Sequence, residues 1–226
     1  MTAPRVAACA LAGILCAPIA ARAQAHLGLE AGSFAGDSNV LEYFRGSEFG
    51  SATVLGARLG YVFPLGAGHG FGLDVGWRSF QGDVSDGAHT LGKLRVMPIT
   101  LGLFYSARPT AGRGLGGRIG MGIGANLGRF EKGRYLDSLA PATTVQFQNT
   151  GKTDLALEIP MALEYFATPW LSLGLQLRLG VYRGLSIWQV DGTSGLPKNE
   201  YGIHPSYHYI RLARHDVGFV CRLWLP

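Results

Sequence analysis

From Gln24 onward, apolar and polar residues alternate with a period of two rather than 3.6. Residues 155–166 put Leu155, Leu157, Ile159, Met161, Leu163 and Tyr165 on one face, with Ala156, Glu158, Pro160, Ala162, Glu164 and Phe166 on the other. Residues 171–183 repeat the rhythm, Leu171, Leu173, Leu175, Leu177, Leu179 and Val181 opposing Ser172, Gly174, Gln176, Arg178, Gly180 and Tyr182. A helix would spread these leucines around its circumference, so the pattern predicts strands. Eight segments carry it: 26–34, 51–63, 70–81, 91–105, 115–130, 155–166, 171–183 and 207–225. Most exceed the usual length of a globular strand and are long enough to cross a bilayer at a tilt. Pro98 and Pro160 fall inside segments, where each removes a ladder hydrogen bond and predicts a local weakening or bulge.

The connections alternate in length. Long polar ones span 35–50, 82–90, 131–154 and 184–206, and short ones span 64–69, 106–114 and 167–170. Long links on one side and short turns on the other predict an all-β, eight-stranded antiparallel up-and-down transmembrane β-barrel. With the first strand starting at the turn side, the eighth ends there too.

A soluble ligand-carrying barrel shares this alternation with its faces exchanged, so composition has to decide between them. The chain has 34 glycines among 226 residues, with 15 % charged and 47 % apolar residues. Such a chain is not disordered, yet after residue 23 it holds no apolar run long enough for a membrane helix. Within the eight segments 17 glycines share the polar phase and one, Gly117, falls in the apolar phase. Glycine weakens strands and has no purpose on a solvent face. It suits a narrow lumen, where small residues make room for a few long polar ones.

The charges follow the same division. The polar phase carries Glu30, Asp74, Glu158, Glu164 and Asp216 with Arg58, Arg78, Arg118, Arg178, Arg214 and Arg222. Opposite charges in a small lumen can pair, whereas isolated buried ones are costly. The apolar phase carries only Lys93, Arg95, Arg129, Arg183 and Arg211, all basic and all towards the loop end. Tyr61, Phe63, Phe71, Tyr105 and Tyr165 lie in the apolar phase near the short turns, where an interfacial girdle belongs. The apolar face therefore reads as lipid-facing.

Residues 1–23 read as a cleaved signal peptide: Arg5 begins it, Val6 to Ala20 is apolar, and Ala21-Arg22-Ala23 is a small-x-small cleavage site. Residues 24–226 form the barrel domain and keep only Cys221, so no disulfide can form within it.

Three stretches resemble the small outer-membrane β-barrel proteins of Gram-negative bacteria, the OmpA/OmpW/opacity-type superfamily. They are Gly56-Ala57-Arg58-Leu59-Gly60-Tyr61-Val62-Phe63, Met97-Pro98-Ile99-Thr100-Leu101-Gly102-Leu103-Phe104-Tyr105 and Thr168-Pro169-Trp170-Leu171-Ser172-Leu173-Gly174-Leu175. The resemblance implies residence in the bacterial cell outer membrane, with membrane lipid and lipopolysaccharide as neighbours and the barrel-assembly machinery as partner during insertion. It is a guide to architecture more than to activity. The chain departs from the family at its end, Leu223-Trp224-Leu225-Pro226, where the family's assembly signal usually closes on an aromatic residue.

For function, the outward basic residues at the loop end are placed to meet lipopolysaccharide phosphates, or to snorkel to water. The lumen charges suit a plug, which gives the chain a structural or surface-interaction role. The alternative is a narrow OmpW-like channel for small or apolar solutes, suggested by the glycine-lined fifth segment. An enzyme would need the His204-Pro205-Ser206 pair, which is similar to the His-x-Ser of outer-membrane lipid A deacylases. The family's acid position falls on Gly218, and the nearest acid, Asp216, lies in the lumen phase, so no catalytic residue is assigned. His204 and His208 share a phase without a third ligand, and the dispersed positive charge makes no nucleic-acid surface. No metal or cofactor is expected.

Overall fold

Short turns set the register of the sheet. Ala67 and Gly68 both adopt positive φ, 48° and 82°, the hairpin geometry whose twist matches the strands it joins. The computed structural model describes residues 24–40, 46–85, 90–132, 134–136, 144–149, 154–191 and 207–225. These form one antiparallel sheet of β1 (Gln24–Phe34), β2 (Asp37–Ser38), β3 (Glu48–Phe49), β4 (Ala52–Gly66), β5 (His69–Ser85), β6 (Thr90–Val96), β7 (Pro98–Ala107), β8 (Gly114–Asn126), β9 (Arg129–Lys132), β10 (Arg134–Leu136), β11 (Thr144–Asn149), β12 (Asp154–Thr168), β13 (Leu171–Asp191) and β14 (Tyr207–Leu225). The wall runs β14–β1–β4–β5–β7–β8–β12–β13, and the β13–β14 pairing closes it into an eight-stave barrel. The proposed signal segment, 1–23, lies outside the described residues.

Two expected staves are each split. The fourth breaks at Met97, ahead of Pro98, and the fifth after Asn126. Asn126 fastens the two breaks together, its Oδ1 accepting from Met97 N at 3.1 Å and Gly128 N at 3.2 Å. Leu127 N then donates to Met97 O at 3.0 Å. Pro160 interrupts a ladder as well. The β8–β12 pairing ends at Glu158–Gly122 and resumes at Met161–Ile119, because proline has no N–H to donate. The pairing of the same stretch with β13 is unbroken.

Two of the expected loops contain strands. Residues 35–50 hold the β2–β3 hairpin, and residues 131–154 hold β10 and β11. β13 continues to Asp191 and pairs with β11, so the wall rises beyond the eight staves. These strands are too short for alternation to register in the sequence.

The faces separate cleanly. Outward positions expose Leu59 at 61 %, Met121 at 66 % and Phe219 at 71 %, and apolar side chains continue in this way around the wall. Surfaces of that extent are not left in water by soluble monomers. The core lies inside. Towards the loops, Phe34, Phe49, Phe80, Leu94 and Tyr182 belong to one buried apolar cluster; towards the turns, Val62, Phe104, Phe166 and Trp224 form another. Charges occupy the space between.

Candidate lumen site

Every second residue of each stave points into the lumen, and the glycines on that face set where long side chains can lie. Gly56 stands opposite Arg78, and Gly76 opposite Arg58, in the β4–β5 ladder. A Cβ at 56 would approach Arg78 Cγ to 2.8 Å, and one at 76 would approach Arg58 Cζ to 2.8 Å. Gly116 leaves room in the same way for Phe166.

Arg58 is the centre of the resulting lattice. Its Nη1 donates to Asp74 Oδ1 at 2.7 Å, its Nη2 to Glu158 Oε2 at 3.1 Å, and its Nε to Glu30 Oε1 at 3.4 Å. β4 and β12 are four staves apart in the closed order, so the Arg58–Glu158 bond crosses the full diameter of the barrel. Arg78 Nη1 donates to Glu158 Oε1 at 3.1 Å and its Nη2 to Asp216 Oδ2 at 2.6 Å. Arg178 Nη2 donates to Glu30 Oε2 at 2.6 Å. Arg118 pairs with Asp74, and Arg222 with Glu164.

Neutral groups complete the lattice, and alternation alone did not single them out as polar partners. Tyr182 OH accepts from Arg78 Nη1 at 2.7 Å and donates to Glu158 Oε1 at 3.1 Å. Ser172 Oγ donates to Glu164 Oε2 at 2.7 Å and accepts from Trp224 Nε1 at 3.0 Å. Arg118 Nη1 donates to His26 Nε2 at 2.8 Å, and its guanidinium lies 3.3 Å from the Phe104 ring centre. All of these sit in the lumen phase, which is the signal that marks them.

Ten of the eleven charged residues assigned to the lumen from sequence are therefore brought together and buried: Glu30, Arg58, Asp74, Arg78, Arg118, Glu158, Glu164, Arg178, Asp216 and Arg222. Arg214 stands apart. Its side chain is 45 % exposed, with Nε donating to Asp37 Oδ1 at 3.0 Å. β1 ends at Phe34, opposite Asp216, so at Arg214 the wall has lost that neighbouring stave and the side chain reaches the loop end. Without Arg214 the buried set balances, five arginines to five carboxylates among the described residues.

On the outer wall, Lys93, Arg95 and Arg129 are exposed. Arg95 faces Arg129 in the β6–β9 ladder, and Arg183 faces Arg211 in the β13–β14 ladder; the side chains of the latter pair lie outside the described residues. His204 and Ser206 lie outside them too. A largely apolar trough of about 910 Å³ is lined by residues of six staves, among them outward Leu101, Ile123 and Leu157 and inward-phase Gly102, Gly122 and Glu158.

No protein-family model matches the chain, and no curated protein does. Among solved structures it is similar to the outer membrane protein OprG of Pseudomonas aeruginosa, at 16 % identity and a TM-score of 0.51, over 89 % of this chain and 95 % of that one. Neisserial surface protein A gives 11 % identity and a TM-score of 0.44, over 89 % of this chain and 98 % of that one. The outer membrane protease OmpT of Escherichia coli gives 10 % and 0.45, over 90 % and 96 %. The likeness to OprG is one of fold: this chain has the closed antiparallel barrel of an outer-membrane protein.

Proposed function

We propose that the chain is an integral barrel of a bacterial outer membrane with a structural or surface-interaction role and a closed lumen. The observation that carries this reading is the balanced charge lattice lying between two buried apolar layers. A path along the axis would have to separate Arg58 from Glu158 and displace Phe104 and Phe80. Buried partners of that kind are strongly coupled, and exposing one without the other is costly. The apolar wall supplies the complementary half, since acyl chains are the solvent it fits. Membrane lipid and lipopolysaccharide are then its standing partners, and an assembly machinery its partner during insertion.

The chain has no enzymatic activity in this reading. Asp216, the acid nearest to Gly218, where the deacylases' acid position falls, already accepts from Arg78 at 2.6 Å inside the barrel. A narrow channel for small or apolar solutes is the second reading. It draws on the β8–β12 ladder break at Pro160, which opens the wall's hydrogen bonding beside the trough. Behind that break, however, stand Arg178 and Arg118, paired in register with Pro160 and Ala162 and both buried.

Planar-bilayer recordings decide between the two. The closed lumen gives no stable conductance at up to 100-fold excess of protein over a porin control. Reproducible, solute-sized steps would replace the plug with the channel.

A further inference from the structure

We infer that the outer wall of the fourth and fifth staves is a docking site for one phosphorylated lipid, the lipid A portion of lipopolysaccharide, with its phosphate held between Arg95 and Arg129. This rests on the membrane reading above and adds to it a particular partner and place.

The argument begins with two neighbouring rows of outward residues. In the first, Lys93 stands between Asp83 and Glu131 in the ladders of β5, β6 and β9, so a basic residue has an acid on each side in register. In the second, Arg95 stands between Gln81 and Arg129. That row places two like charges directly opposite each other, with an uncharged neighbour, and like charges so placed repel. Both arginines are exposed on the wall. An anion with several oxygens relieves the repulsion, and a phosphate monoester, with three non-bridging oxygens, can meet two planar guanidinium forks at once where the two oxygens of a carboxylate fill one.

The surface beneath the arginines selects an acyl-bearing anion over a free one. Descending from Arg95 and Arg129, the outward residues are Leu127, then Ile99 beside Ala125, then Leu101 beside Ile123. The last pair lines the apolar trough. Arg95 and Leu101 are six positions apart in sequence, or roughly 20 Å along the strands. At the usual tilt of a membrane strand this is a drop of about 15 Å, the depth of one hydrocarbon leaflet. A lipid with its phosphate on the arginines would thus lay its chains over Ala125, the small outward residue of the column, and end them at the trough. The loop end is the outer side of the membrane in this reading, where the phosphorylated lipid is lipid A.

The test is thermal unfolding of the refolded chain in phosphate-free detergent micelles, with lipid A added in bisphosphorylated or fully dephosphorylated form. The bisphosphorylated form should raise the midpoint and the dephosphorylated form should bind at least tenfold more weakly. Equal binding of the two overturns the proposal on the unmodified chain alone. So does an equal shift from inorganic phosphate, which would make this a simple anion site. Arg95→Gln with Arg129→Gln should abolish the preference, while Lys93→Gln should keep it; a preference that survives the double substitution overturns the assignment. Should the double variant not fold, Arg95→Lys serves, keeping the charge and losing several-fold in affinity through loss of the fork. Insertion of the unmodified chain into vesicles of phosphatidylcholine alone checks the membrane reading separately, since that step does not need lipid A.

Discussion

Gly76 faces Arg58 across the β4–β5 ladder, and a Cβ at 76 would lie 2.8 Å from the guanidinium carbon and 2.9 Å from Nη2. Three carboxylates hold that guanidinium, so it cannot swing aside as a free arginine tip would. Gly76→Ala should therefore cost about 1–3 kcal/mol through overpacking, read as a lower urea midpoint of the chain folded into vesicles. Gly50→Ala is the control. The nearest atom to a new Cβ there is Asp83 O at 3.8 Å, an ordinary contact, and the midpoint should stay where it is.

Glu158 accepts from Arg58, Arg78, Tyr182 and Thr100. Glu158→Gln leaves buried guanidinium groups short of a charge partner and should cost about 3–5 kcal/mol. Adding Arg78→Met to that variant should cost less than the two single changes summed, since each removes part of the same pairing. Equilibrium unfolding of the four chains measures the coupling; strict additivity would mean that the two residues do not act together.

Leu101 is 58 % exposed at the middle of the outer wall. Leu101→Arg should destabilise the chain in a bilayer by about 2–4 kcal/mol, since an arginine there meets hydrocarbon. Folding into vesicles followed by tryptophan fluorescence gives the number. A wall bathed in water would tolerate the change without loss.

Asn126 joins two strand breaks through one carbonyl oxygen. Asn126→Ala leaves Met97 N, half-buried, and Gly128 N, buried, without that acceptor, and about 1–3 kcal/mol should be lost. The loss should be accompanied by faster amide exchange at Met97 and Gly128, with the exchange of β13 unchanged.

Much of this was legible in the chain because a strand's side chains can only alternate. Phase identified which residues face inward, and glycine told the inner face from the outer. Phase does not report height. Arg214 shares the inward phase with Asp216, but only the pairing of β1 with β14 reveals that the neighbouring stave stops between them. Nor does it report which inward apolar residues gather: Phe34 and Phe80 stack because β4 pairs with both β1 and β5, and Phe49 joins them because β3 pairs with β5. Asn126 as a fastener is illegible for the same reason, its role being created by the break at Met97 on another stave. The Pro160 interruption was legible, because the missing N–H is a property of the residue itself.

The strut from Arg58 to Glu158 joins residues 100 positions apart, and this bears on how the barrel enters a membrane. Half a wall, already among acyl chains, would keep Arg58 with Glu30 and Asp74, but would turn Arg78 towards lipid with Glu158 and Asp216, the carboxylates that accept its hydrogen bonds, still outside. Strand-by-strand entry would thus pass through states with bare charge in oil, and such states are expensive. The last staves have to arrive before the first can commit, so insertion and circular closure should occur as a single slow kinetic step.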